Sequence, residues 1–184
     1  MKRMNSLNPN GLLIAVVSLI IVTSVVLPAC EEKSDCVAGD VALYLLESYE
    51  TIDQTCAIRD TSVVLKEHPL IGYSDMESYN SNTHVFKISE DAKDAIEKLE
   101  HSVQGLPFAL LADDQLIYTG YFWPSYSSAI CQWIVIDPLM FHGDNELKVE
   151  LGYPGLIDDG PEIPDERNNP LILDIFRRDG KLID

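Results

Sequence analysis

Residues 83–123 carry the clearest apolar and polar patterning in the chain. Val85, Phe86 and Ile88 read as a strand, and Ser89 then offers a hydroxyl to cap the orphan N–H groups of a helix. Ala92, Ala95, Ile96 and Leu99 recur at three- and four-residue spacing and make one apolar stripe. Glu90 and Asp91 fall at the positive end of the helix dipole, while Lys98 and His101 fall towards its negative end. The pattern predicts one main amphipathic helix over about 89–101, stopped by Gly105 with Pro107 beyond. PFALLA and QLIYTGYFW then flank Asp113 and Asp114, two apolar runs about a short acidic turn, which is a β-hairpin.

Elsewhere strands dominate. Residues 41–49 (VALYLLESY) and 130–137 (ICQWIVID) are apolar on both faces, as central strands are, and Pro138 ends the second. Residues 62–66 read as a further strand. Residues 146–153 alternate cleanly, with Glu146, Lys148 and Glu150 on one face and Leu147, Val149 and Leu151 on the other. Residues 71–83, rich in Ser, Asn and Asp, predict an irregular excursion, and 152–169 predict a loop. The end, PLILDIFRRDGKLID, predicts a hairpin turning at Arg178, Asp179 and Gly180. Many strands and one helix make an α+β chain, a single domain over 41–184 built on a largely antiparallel sheet. There is no internal repeat.

SVVLKEHPLIGYSDMES, VFKISEDAKDAIEKL and GLPFALLADDQLIYTG together resemble the head subdomain of the first periplasmic domain of SecD protein-export subunits. In that family a VVLxGxxI-type strand precedes a loop, a strand leading into a Ser- or Thr-started helix, and a Gly-led hairpin. The likeness covers about 61–123 and implies a fold module, with no catalytic signature. SecD proteins carry several transmembrane helices and this chain at most one apolar run, so export-motor activity is not implied.

That apolar run changes the picture of where the protein works. Lys2 and Arg3 precede it, it extends from Leu12 to Val26, and Leu27, Pro28, Ala29 and Cys30 follow. It falls short of the ~20 apolar residues of a membrane span, and a cysteine directly after a small residue resembles a bacterial lipoprotein box. Residues 1–29 therefore predict a signal peptide, with diacylation of Cys30 holding the protein on the extracytoplasmic side of a membrane. Residues 30–40, beginning with Glu31, Glu32 and Asp35, predict an acidic tether. The formal charge of −17 becomes two units more negative once Lys2 and Arg3 leave. Such a surface repels nucleic acid and anionic headgroups.

Candidate chemistry is sparse. With Cys30 acylated, Cys36, Cys56 and Cys131 remain, an odd number for an oxidising compartment. Cys36 lies in the tether, whereas Cys56 and Cys131 belong to the folded body, so these two are expected to pair. Their bond would close a loop of about 75 residues, worth roughly 4 kcal/mol on a chain-entropy argument. The alternatives are unpaired thiols, or a catalytic thiol partnered by His142. His68, His84, His101 and His142 show no metal-ligand spacing. Phosphate-binding and nucleophile-elbow motifs are missing too, so no cofactor, metal or catalytic residue is expected. Asp158, Asp159, Glu162, Asp165 and Glu166 lack the ligand order of a calcium loop and read as a solvated face.

Aromatic residues offer the remaining candidate. Tyr118, Tyr121, Phe122, Trp123, Tyr126 and Trp133 crowd around Pro124; Tyr118 and Phe122 share one strand face, Tyr121 and Trp123 the other. One set is expected in the core. The other, with Tyr121, Trp123, Tyr126 and Trp133 as anchors, is the expected ledge for an envelope protein or glycan, the alternative being that all cover the sheet. The sequence thus points to a lipid-anchored, non-catalytic binding or scaffolding protein. Its alternatives are an envelope hydrolase using carboxylates, or an accessory subunit of an export or assembly complex. Replacing Cys30 by Ser is expected to leave an unprocessed precursor retaining residues 1–29; normal processing and localisation of that variant would refute lipidation.

Overall fold

A computed structural model describes residues 39–53, 55–141, 145–157 and 160–184. Cys30, Cys36 and His142 therefore lie outside the described residues, as do Asp158 and Asp159. Nine strands form one mixed sheet. In chain order they are β1 (Val41–Ser48), β2 (Val64–Leu65), β3 (Met76–Asn80), β4 (Val85–Ile88), β5 (Leu106–Ala112), β6 (Gln115–Phe122), β7 (Cys131–Ile136), β8 (Glu146–Tyr153) and β9 (Leu182–Ile183). Two helices, α1 (Glu90–Glu97) and α2 (Pro170–Arg178), complete a small α+β domain. Across the sheet the order is β2-β1-β5-β6-β7-β8-β4-β3-β9. Neighbours are antiparallel except β6–β7 and β3–β9.

The period of two decides which side chains meet. Phe108 and Leu110 of β5, Phe122 of β6, Ile134 and Ile136 of β7, and Leu147 and Val149 of β8 share a core with Ala92 and Ile96 of α1 and Ile172, Ile175 and Phe176 of α2. Their strand neighbours Ala109, Tyr121, Trp123, Cys131 and Val135 face the other way, into a second cluster with Leu46 and Ile58. Both clusters are buried, so the central strands are covered on both faces. At Gly120 the layers meet so closely that a Cβ would lie 2.6 Å from Phe108 Cζ and 2.7 Å from the Ile134 carbonyl oxygen.

Ser89 caps α1 as its sequence position implies, its hydroxyl accepting from the Ala92 N–H at 3.2 Å. The helix is shorter than 89–101, however: Lys98 is its C-cap, and Leu99 N–H turns back to the Ile96 carbonyl in a tighter turn. Gly105, with φ +78°, serves instead as the bend that starts β5, where a side chain would strike Trp123. The acidic turn between β5 and β6 places Asp113 and Asp114 both at positive φ (51° and 58°), the hand that fits a two-residue hairpin.

Two expectations are corrected. Residues 71–83 hold β3, whose Tyr79 stacks on Phe86 of β4 with ring centroids 4.3 Å apart. The C-terminal hairpin is instead α2 followed by β9, so there are two helices. Asn169 accepts the Leu171 N–H as N-cap, Pro170 occupies the first turn, Arg177 and Arg178 the last, and Gly180 leaves at φ +67°. Ile172, Ile175 and Phe176 then lie on one helical face and seal the sheet beside Phe86. Burial of that stripe outweighs the turn-like Arg-Asp-Gly. Gly120→Ala is expected to overpack the centre and cost about 1–3 kcal/mol, measured by denaturant unfolding; unchanged stability would show that the layers are looser than described.

Candidate functional site

The expected aromatic ledge divides between inside and outside. Tyr121 and Trp123 are each only 4% exposed and belong to the second cluster, so the reading of them as surface anchors is corrected. The cause is the segment after β1, whose described residues 49–53 and 55–63 fold across that face. Thr51 and Ile58 form a bridge, Ile58 is 2% exposed, and Tyr49 meets Tyr121 edge-on at 6.1 Å. Trp133 is half-buried, its indole N–H donating to Thr119 Oγ1 at 3.1 Å across the gap between β6 and β7. Tyr126 alone of the four stands out, 57% exposed, its hydroxyl donating to the His101 carbonyl at 3.3 Å.

Tyr126 lies on a loop tied to two others. Ser127 Oγ donates to the Val103 carbonyl at 2.6 Å and accepts the Ala129 N–H. Tyr153 hydroxyl donates to the Ser125 carbonyl at 2.7 Å. Gln132 donates to the Gly155 carbonyl and accepts from the Ile157 N–H, bracing the chain after β8. The braced loops present Val103, Tyr126, Ile130, Leu156 and Ile157 to solvent. Beside them runs an open groove of about 870 Å³, lined by Met140, Leu151, Tyr153 and Leu156 at its apolar part and by His84, Lys148 and Arg167 beyond. The lysine and the arginine are engaged: Lys148 pairs with Glu150 at 2.7 Å and Arg167 with Asp165 at 2.7 Å. The Arg167 guanidinium holds the Asp165 carboxyl below its ordinary range, and burial holds the His84 imidazole below its own.

A smaller crevice of about 340 Å³ opens where the parallel strands β6 and β7 diverge, beyond their pairing at Tyr121–Val135 and Phe122–Ile136. Asp60, Gln115, Thr119, Trp133, Glu166 and Asn169 line it. Burial raises the Asp60 carboxyl, and Glu166 accepts from Asn169 Nδ2 at 2.9 Å. Among the described residues no group of three His, Cys, Asp or Glu could hold a metal ion.

Folding of 49–63 onto the sheet also brings Cys56 to Cys131, as two thiols. Cys56 Sγ donates to the Ile130 carbonyl at 3.8 Å, beside the buried Cys131 of the same cluster, and the Cys131 thiol and the Gln132 N–H are the donors that favour its thiolate form. The Cys131 donor lowers the Cys56 thiol to about 7 against the opposing effect of burial. The same hydrogen bond, reinforced by burial, raises Cys131. The sequence brings Cys56 and Cys131 together as an expected pair but does not reveal the cover, whose apolar signals besides Cys56 are only Ile52, Ala57 and Ile58.

No family model, curated protein sequence or solved structure matches this chain. No helix among the described residues is long and apolar enough to cross a membrane. Truncating Trp123 to Ala is expected to cost about 3–5 kcal/mol as a core deletion, whereas Tyr126→Ala is expected to stay within about 0.5 kcal/mol as a surface change. Thermal or denaturant melts of the two variants check this; equal losses would place both side chains in the core.

Proposed function

We propose that this chain is a lipid-anchored protein of the bacterial cell envelope that works by binding a protein partner, without catalysis. The observation that carries the reading is the braced apolar end of the sheet: Val103, Tyr126, Ile130, Leu156 and Ile157 exposed on three loops that hydrogen-bond one another. Apolar side chains on a braced support bind at low ordering cost, and aromatic anchors such as Tyr126 contribute most per side chain. The acidic chain favours a partner with a basic rim around an apolar patch and disfavours an anionic bilayer. Cys30 would supply the anchor and residues 30–40 the tether. The SecD-like sequence of 61–123 supports a setting near export or assembly machinery.

The crevice favours a second reading, an envelope hydrolase in which Asp60, its carboxyl raised by burial, is the proton donor and Glu166 the second carboxylate. Its weakness is that Glu166 is already held by Asn169.

The test is a photo-crosslinking amino acid at position 126 of the full-length, lipidated protein in intact envelopes. The expected outcome is one protein crosslinked well above background, and its loss when Ile130 and Leu156 are both changed to Glu. Crosslinks to lipid alone, or a protein crosslink indifferent to those two charges, would contradict the binding reading. Activity on envelope polymers that vanishes in Asp60→Asn would establish the second.

A further inference from the structure

We propose that Cys56 and Cys131 form a reactive dithiol centre for low-molecular-weight disulfides, with Cys56 as the attacking sulfur and Cys131 as the resolving one. The two positions are unequal in the way that such chemistry requires. Cys56 is half-buried on the covering segment 49–63, within reach of solvent, whereas Cys131 is fully buried at the start of β7. Cys56 Sγ donates to the Ile130 carbonyl at 3.8 Å and packs in the cluster that holds Cys131, which seats it beside the Cys131 thiol and the Gln132 backbone N–H, the groups that would donate to its thiolate. The displaced acidity of the pair runs the same way, Cys56 down to about 7 and Cys131 up. The cover is positioned by its own backbone: Ile52 N–H to the Ala57 carbonyl, Arg59 N–H to the Glu50 carbonyl, and Ser62 Oγ accepting from Glu50 N–H at 2.8 Å. Both sulfurs belong to the second cluster, and Cys56 Sγ already reaches the carbonyl of Ile130, the residue before Cys131.

Electrons balance in two exchanges. Cys56 thiolate attacks one sulfur of a disulfide RSSR, forming a Cys56–SR mixed disulfide and expelling RS⁻, which takes a proton from solvent. Cys131 then gives up its proton and attacks Cys56 Sγ, breaking the Cys56–SR bond and releasing the second RS⁻, which leaves as the thiol. The protein loses two electrons, and the small disulfide gains them as two thiols. The product ties segment 49–63 to β7. Because Asp60 follows Cys56 by four residues and lines the crevice between β6 and β7, that oxidation also fixes one wall of the crevice.

Glutathione disulfide added to the full-length, reduced protein carrying Cys36→Ser tests this, with acid quenching and peptide mapping of every cysteine. In a Cys131→Ser variant glutathione is expected to accumulate on Cys56; in Cys56→Ser none is expected on Cys131. If a variant fails to fold, early quenching of the Cys36→Ser protein itself, with glutathione disulfide below stoichiometry, assigns the attacking sulfur. The transient adduct is then expected at Cys56 and the final product is the Cys56–Cys131 bond. The rate of Cys56 modification should rise with an inflection near pH 7. Glutathione found first on Cys131, equal reaction at both thiols, or no reaction at either would overturn the proposal.

Discussion

Strands that are apolar on both faces must be covered on both faces, and this requirement governs the whole domain. β5, β6 and β7 alternate between two sets of side chains, neither of which water can be left to touch without losing roughly 25 cal/mol for each Å² of apolar surface. One face takes the two helices. The other takes no α-helix among the described residues, and a largely irregular segment, with one 3-10 turn at Asp60–Ser62, closes it by inserting Ile58 among Leu46, Ala109, Tyr121, Trp123 and Val135. Without that cover, Tyr121 and Trp123 would form an exposed aromatic surface. With it, they are core.

Much of the architecture follows directly from period. Residues 146–151 alternate cleanly and the strand there runs over the expected 146–153, the period breaking only at Gly152, whose φ is +76°. Ser89, Glu90 and Asp91 start α1 where their chemistry places them. What sequence patterning does not reveal is tertiary: α2 carries every helix signal, from Asn169 and Pro170 to Gly180, yet its Arg-Asp-Gly end mimics a turn between strands. The cover is harder still. Among its described residues only Ile58 is fully buried, and no local period marks a segment held by packing onto another element. The site suffers most from this. Sorting Tyr118 and Phe122 from Tyr121 and Trp123 was legible, because it needs only strand geometry, whereas deciding which set stays wet needs the cover.

The same cover links packing to chemistry. It brings a half-exposed thiol onto a buried one, and it supplies Asp60 to the crevice where β6 and β7 part. The exposed apolar residues gather elsewhere, at the end of the sheet where the loops after α1, β6 and β8 are tied together by Ser127, Tyr153 and Gln132. Exposed apolar patch and sulfur pair are thus separate features of one scaffold, joined through β7, whose first residue Cys131 belongs to the pair and whose second, Gln132, braces the patch.

The account stands or falls on the second face being a sealed core. The most direct measurement is the denaturant unfolding free energy of an Ile58→Ala variant beside the unaltered protein. A sealed cover predicts a loss of about 2–5 kcal/mol with an unchanged denaturant slope. A loss below about 0.5 kcal/mol, as for an exposed loop residue, would contradict it.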